Sequence, residues 1–354
     1  MSTKDRGKIV KAQLTSILRL TLLVGSFLLM YPLNAFALMD AMSTFDVKGT
    51  IGQEQLTVFW FTVAVSAFLL VTVGGVFFYA LFRFRAKPGQ DFVVPEQTHG
   101  SAKIEIALII ASCLLLLVIA VPNAKALFVM DKPPEGKKVM KVVAIGHQWW
   151  WEFQYPDLGI TTANELHIPV DTAINIDIKS VDVIHSFWVP RLAGKMDALP
   201  GQINRMWLDA NEPGKYYGQC TEFCGDSHAQ MRFLVFAHKQ AEFDKWSRDE
   251  KADAIKPETV SQVNGQKVFM QGCNSCHAIK GTNAMGMVGP NLTHFGSRSS
   301  LGAVMYKNDT EHLAKWIKYP QQMKPGNLMK LEQANMLLSD KDVTDLVSYL
   351  QNLK

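Results

Sequence analysis

The sequence is short of charge, of cysteine and of any excess of one sign. Charged residues are 19% of the 354, below the roughly 25% of an ordinary soluble domain. Residues of the AVILMFWYC set reach 48%, which excludes intrinsic disorder. Glycine (24) and proline (15) are too few for a collagen-like repeat, and five cysteines in a chain this long are too few for a disulfide-stapled miniprotein. The net charge of +4, from 36 basic and 32 acidic residues, is too small and too scattered for a nucleic-acid partner. The charge deficit is not uniform. It sits in three apolar stretches within the first 130 residues, and the remainder has the composition of water-soluble domains, with length for two or three folded units.

Gln55 to Phe82 and Ile106 to Ala124 carry no formal charge, and a helix needs about 20 apolar residues to cross a bilayer. Two spans are therefore expected, at about 57–82 and 106–126, with Phe59-Trp60-Phe61 and Phe128 as interfacial aromatic flanks. The joining loop, 83–103, contains Arg83, Arg85, Lys87 and Lys103 against Asp91 and Glu96. By the positive-inside rule it faces the cytoplasm, which leaves everything after residue 130 on the opposite side. The first apolar stretch differs in kind. Lys4, Arg6, Lys8, Lys11 and Arg19 precede Leu20 to Met30, with Pro32 and Ala35-Phe36-Ala37 behind it. A basic start, a short apolar middle and an A-x-A site predict a signal peptide over 1–37.

Between Val139 and His238 short alternating segments predict strands: Lys141 to Ile145, Glu165 to Val170, Ile174 to Ile178 and Met231 to Phe236. An all-β sandwich or Greek-key barrel of about 100 residues follows. Its ligand-rich stretch runs Cys220-Thr221-Glu222-Phe223-Cys224-Gly225-Asp226-Ser227-His228-Ala229-Gln230-Met231. Two thiolates, an imidazole and a thioether on one loop suit copper or zinc rather than magnesium or calcium. Zinc would take both cysteines, His228 and His185. Met231 favours copper, because thioether is a poor zinc ligand and a weak axial copper ligand. A blue-copper site needs one cysteine; two invite a thiolate-bridged copper pair. Cys113, inside the second span, reads as a small lipid- or helix-facing residue.

The stretch from Cys220 to Met231 resembles the CuA loop of subunit II of haem–copper cytochrome oxidases. So do Asp182 to Pro190 (D-V-I-H-S-F-W-V-P), Lys195, Asp197, Pro200-Gly201, and Gly146 to Phe153 (G-H-Q-W-W-W-E-F). The resemblance implies a cupredoxin-like domain in which Cys220 and Cys224 bridge two coppers, His185 and His228 cap one each, Met231 binds one weakly and the Glu222 carbonyl binds the other. It also implies a magnesium ion at the subunit I interface with the Glu222 side chain as a ligand. Trp149 would be the electron-entry residue, and Glu105, in Lys103-Ile104-Glu105, would lie at the mouth of a proton channel into subunit I. Trp150 stands where relatives commonly have tyrosine, so no role is carried over to it.

Further on, Cys273-Asn274-Ser275-Cys276-His277 is the C-x-x-C-H attachment signature of a covalent haem c. Both thiols would hold the porphyrin, and His277 would be placed beneath the iron. A methionine as the second axial ligand raises the iron's potential. Gly289-Pro290-Asn291-Leu292 and Lys324-Pro325-Gly326-Asn327-Leu328-Met329 resemble the proximal and methionine loops of class I cytochromes c. They point to Met329, with Met323 as runner-up, in an all-α domain closed by a helix over Asp340 to Leu353.

The expected layout is a multidomain membrane protein. It comprises a signal peptide (1–37), a hairpin (38–130), a cupredoxin-like CuA domain (131–245), a linker (246–257) and a cytochrome c domain (258–354). The resemblance implies subunit II of a terminal cytochrome c oxidase of the caa type, in a bacterial inner membrane with both metal-bearing domains on the periplasmic face. Electrons would arrive from an external cytochrome c or other small redox donor and leave to subunit I, where oxygen is reduced and protons pumped; subunit III would be a further partner. The competing reading is a membrane-anchored copper-binding or copper-delivery protein without turnover, which accounts for the copper loop but not for the haem motif.

Overall fold

The computed structural model describes residues 41–85, 100–330 and 337–354. The expected signal peptide, and Lys87, Asp91 and Glu96 of the expected cytoplasmic loop, lie outside the described residues. From Thr44 onward the chain forms one compact unit.

Helices α1 (Thr50–Arg83) and α2 (Ala102–Asp131) are long and apolar enough to cross a membrane. Each continues beyond its uncharged run, because polar residues at the ends keep helical hydrogen bonding while standing in water. Their apolar side chains face outward, Leu70 at 76% and Phe128 at 80% exposure, as suits a lipid solvent and not a water-facing surface. Cys113 is exposed on α2, and Glu105 stands exposed in its first turn. At the other end Lys125 pairs with Glu54 across the hairpin at 2.9 Å. The Asp209 carboxylate accepts from the Thr50 backbone N–H (2.7 Å) and hydroxyl (2.6 Å) and is paired with Lys137. An acid there meets the unsatisfied N–H groups and positive end of α1. The Trp207 indole donates to the Val129 carbonyl at the end of α2 (3.0 Å), so both helices are tied to the domain that follows.

That domain is a sandwich of two five-stranded sheets. The strands are β1 (Val139–His147), β2 (Trp150–Tyr155), β3 (Ile160–Ala163), β4 (Glu165–Pro169), β5 (Ala173–Ser180), β6 (His185–Trp188), β7 (Lys195–Ala198), β8 (Asn204–Leu208), β9 (Gly214–Cys220) and β10 (Arg232–His238). One sheet has the order β3-β2-β1-β5-β8 and the other β4-β10-β9-β6-β7, with β1/β5 and β4/β10 parallel and the remaining pairs antiparallel. Alternation puts Trp151, Phe153 and Tyr155 of β2 inward. Trp151, Phe187 and Phe233 then meet edge-on and stacked at 4.7–5.8 Å in a fully buried core.

Helix α3 (Gln240–Glu250) follows, so the chain remains regular into the stretch expected to be a linker (246–257). The reason is its buried edge: Phe243 is buried, and Trp246, one helical turn on, stacks on His167 (4.4 Å) and tilts against Tyr155 (5.3 Å).

The C-terminal part has its own hydrophobic core. Helix α4 (Val260–Phe269) begins with a capping box between Thr259 and Gln262, and the closing helix, at Asp340–Asn352, with one between Ser339 and Asp342. They cross where a Cβ on Gly265 would lie 2.0 Å from the Asp345 carbonyl oxygen, so glycine is required for that approach. Between them stand α5 (Thr310–Lys318), capped by Asp309, and α6 (Pro320–Met323), which make the closing helix α7.

Candidate functional site

The loop between β9 and β10 folds the copper-type donors onto one spot. Cys220 ends β9, His185 starts β6 beside it, and a short 3-10 turn over His228–Gln230 brings His228 and Met231 back. Cys220 Sγ lies 3.8 Å from Cys224 Sγ, too far for a disulfide's 2.05 Å. It is 3.9 Å from His185 Nδ1 and 3.3 Å from the Glu222 carbonyl oxygen. Cys224 Sγ is 3.5 Å from His228 Nδ1 and 3.9 Å from Met231 Sδ. Two cysteine sulfurs, two imidazoles, a thioether and a carbonyl thus converge, with His185, Cys220, Cys224 and Met231 buried. Soft donors doubled around a sulfur pair fit a thiolate-bridged dicopper ion set better than one tetrahedral zinc.

The surroundings orient these donors. Asp182 Oδ1 holds His185 Nε2 at 2.7 Å, which leaves Nδ1 turned toward Cys220. Burial works against charge on His185, yet the bond to Asp182 and the contact with Cys220 overcome it, and its pKa is raised. Asp182 is desolvated too, but bonds from His185, the Gln148 N–H and the Val183 N–H hold its carboxyl below the usual range. The Cys224 contact, with His185 as a further donor, pulls the Cys220 thiol down to about 4, and the same contact pushes Cys224 up.

The second constellation lines an apolar cavity in the C-terminal part. Cys273, Cys276, His277 and Met329 all border it, whereas Met323 does not. His277 Nδ1 bonds the Pro290 carbonyl at 2.8 Å, which presents Nε2 for an iron. Burial lowers the His277 pKa against the opposing pull of that carbonyl, and burial raises the Cys273 thiol to about 11. Met329 is positioned by its backbone N–H on the Asn327 side chain (2.8 Å), and Met323 instead offers its carbonyl to Tyr306 (2.9 Å). Met285 and Met287 are largely exposed. Paired thiols, a neutral imidazole and a thioether around an apolar slot fit a covalently held haem.

The two sites share a wall. Trp149, buried in the turn before β2, donates its indole N–H to the Cys224 carbonyl (2.9 Å) and also borders the haem-type cavity, as do Gln148 and Trp150. Gln148 Nε2 bonds the same carbonyl at 2.8 Å. Glu222 is half-buried beside the cysteines, and Glu105 is brought to neither constellation. Asp182, Gln148, Trp150 and Lys324 all lie in the stretches that carry the resemblance, yet none of them was given a role from sequence; Asp182 stands three residues before His185. Lys324 is buried, and burial pushes its ammonium down to about 7.

A second seam joins the same two parts. Glu165 Oε1 accepts from the Ser299 N–H (2.9 Å) and hydroxyl (2.7 Å). Burial raises its pKa, but His167 and Ser299 more than reverse this and hold it low. His238, 2.8 Å from His167, is pushed from 6.5 to about 4 by burial and then by its neighbour. A lowered histidine and a lowered carboxylate act in the same direction. His238 contributes nothing above about 6.5 and increasingly destabilises the fold as pH falls toward about 4, because the unfolded chain takes up the proton first. Glu165 stabilises the fold at neutral pH and loses that contribution as pH falls through and below its unfolded value of 4.5. The thermal midpoint of the intact chain in detergent should therefore drop by about 5 °C or more between pH 7 and pH 4.5. His238→Gln should flatten the part of that decline above pH 5, and a variant as steep as the parent would remove His238 as its source.

Comparison with known proteins gives consistent matches. The family described as "Cytochrome C oxidase subunit II, periplasmic domain" matches residues 159–237, and the cytochrome c family matches residues 262–354. The chain is 36% identical to cytochrome c oxidase subunit 2 of Alkalihalophilus pseudofirmus, over 88% of this chain and 94% of that one. It is 34% identical to the protein of the same name from Bacillus sp. strain PS3, over 77% and 80%. Among solved structures, the periplasmic domain of subunit II of the Bradyrhizobium japonicum oxidase matches at 33% identity and a TM-score of 0.31, over 32% of this chain and 93% of that one.

Proposed function

Since the chain belongs to the cytochrome c oxidase subunit II family, we propose that it is the electron inlet of a caa-type oxidase. In this reading it receives electrons from an external cytochrome c or other small donor and passes them to subunit I, where oxygen is reduced to water. One observation carries it: the six-donor cluster around Cys220 and Cys224 and the apolar slot around Cys273, Cys276 and His277 have Trp149 as a common wall. Bound there, a copper pair and a haem supply one-electron relays whose charge is spread widely enough for little geometry change.

The chain's own residues prepare both places. Asp182 turns His185 so that Nδ1 faces the sulfurs, and the Pro290 carbonyl holds Nδ1 of His277, which leaves its Nε2 free. The sandwich core excludes water from Cys220, Cys224 and Met231. In this reading the sulfurs of Cys220 and Cys224, the imidazoles of His185 and His228, the Met231 thioether and the Glu222 carbonyl would hold the copper pair. Cys273 and Cys276 would hold the haem covalently, and His277 and Met329 would supply its iron ligands. The Glu222 side chain would also be a ligand for a magnesium ion at the subunit I face, and Glu105 would border a proton entrance in the membrane part of the complex. The hairpin anchors the chain in the bacterial inner membrane, with the sandwich and haem domains on the periplasmic side and subunit III as a further partner.

The decisive experiment purifies the full chain from membranes and counts cofactors. Two coppers and one covalent haem per chain, together with a co-purifying oxygen-reducing subunit, are expected. A single copper with no haem would transfer the assignment to copper delivery. Met329→Leu should lower the haem potential by on the order of 0.1 V, out of the roughly 0.8 V that axial ligands span. An unchanged potential and spectrum would move the ligand to Met323.

A further inference from the structure

A lysine before a Pro-Gly turn would ordinarily stand in water, since lysine is among the side chains least often buried. Lys324 is 3% exposed. Its Nζ donates to the carbonyls of Trp149 (2.6 Å), Gln230 (2.9 Å) and Gly302 (3.1 Å). An ammonium has three protons and no acceptor, so these three carbonyls use its full capacity. Trp149 and Gln230 belong to the sandwich and Gly302 to the haem-type domain, so one side chain spans the seam. The neighbouring residues extend the grip. Ser227 donates its hydroxyl to the Pro325 carbonyl at 2.6 Å, and Gly326 lies so close that a Cβ there would be 2.8 Å from the Trp149 ring.

The positions of these contacts are informative. Ser227 precedes His228 and Gln230 precedes Met231, whereas Met329 lies on the same loop as Lys324. The loop that borders the haem cavity therefore grips the loop that carries the copper-type donors. We propose that Lys324 is a positioning residue, a buried three-carbonyl clasp that holds the haem domain against Trp149 and keeps the two redox sites in electron-transfer contact. The redox role rests on the function proposed above; the clasp rests on geometry alone.

Lysine suits the task. Three carbonyls converge on one point, which matches a compact ammonium and leaves donors of arginine's rigid five-donor fork unpaired. Because a desolvated charge is costly unless every partner is present, the clasp closes as a whole or hydrates as a whole. The step it would serve moves one electron and no proton, from the group that Cys273, Cys276, His277 and Met329 would hold to the one that Cys220 and Cys224 would hold, with the external donor supplying the electron that leaves.

The test begins on the unmodified full chain assembled with its oxidase. After brief acetic anhydride treatment, mass spectrometry should find Lys324 acetylated about tenfold more slowly than the exposed Lys330, as expected for a group reached only by opening. Equal rates would overturn the clasp. Lys324→Met and Lys324→Gln follow. Copper content, haem content and the spectra of both centres should match the parent, amide exchange at 149–151 and 227–230 should rise, and electron transfer to copper after flash reduction of the haem should slow by about tenfold, in proportion to the docked fraction. Intact spectra with an unchanged rate and exchange would overturn the clasp and leave the proposed function standing. Absence of haem or of the copper pair from the unmodified chain would defeat the proposed function, with the acetylation result still deciding the clasp. If both variants lose their cofactors, that acetylation result decides alone.

Discussion

Replacing Cys220 with serine should reduce the copper content from two ions per chain to one or none, abolish a spectrum delocalised over both ions, and cut oxygen consumption by about a hundredfold or more, as expected when members of one working unit are lost. The effect follows from the place of Cys220 Sγ at the centre of the cluster, facing Cys224, His185 Nδ1 and the Glu222 carbonyl at 3.3–3.9 Å. Serine fits the volume, so the buried sandwich should remain folded, but its hydroxyl is a hard, protonated donor that cannot bridge soft metals. Copper analysis, spectroscopy and oxygen uptake on the purified complex check this. A variant that keeps two coppers would mean that Cys220 does not bridge them.

The second large effect is expected from Gly289→Val. A Cβ at this position would sit 2.5 Å from His277 Cε1 and 2.8 Å from its Nδ1. The ring is half-buried, and moving it aside would break the bond that the Pro290 carbonyl accepts from its Nδ1 side. Both cysteines are untouched, so the haem should still be attached and a pyridine haemochrome assay should still find about one per chain. Displacing the imidazole should convert most of the low-spin haem to high spin and slow donor-driven oxygen uptake by about tenfold or more. Attachment and ligation would thereby separate in one variant. A low-spin spectrum identical to the parent's would show that His277 is not under this constraint.

These two variants differ in how visible their targets are. Cys220 belongs to a run of donors at fixed spacing, and metal chemistry restricts residue type so tightly that the run is legible in one dimension. The same holds for Cys273 to His277, and for the uncharged runs that became α1 and α2, where the solvent itself selects composition. Gly289 is different. Its tie to His277 exists only because the chain returns across the ring, and no pattern of neighbours announces such a return.

Other features divide along the same line. The capping boxes at Thr259 and Ser339 are local and readable, whereas the crossing of α4 and α7 at Gly265 is not. The charged stretch after Glu242 reads as a helix end and a solvated linker. Trp246 and Phe243 fix where the helix ends, at Glu250, since two aromatic side chains a turn apart outweigh the charged face that water can hold. The acidic residue three places before His185 was in plain view, and only the fold turned it into the partner that orients the ring. Trp150 was given no role from sequence, yet it borders the haem-type cavity.

By itself the sequence determined the order of the parts and the presence of two apolar helices ahead of them, and it put the candidate donors in plain view, because ligand chemistry and the apolar solvent constrain residues near one another in the chain. Only the tertiary structure decided that Trp149 stands between the two sites and that Lys324 is buried against three carbonyls from both sides of the seam. Residues 175 positions apart meet there through packing of surfaces, and the free energy of such a meeting depends on complementary shape and on satisfied hydrogen bonds rather than on any local pattern.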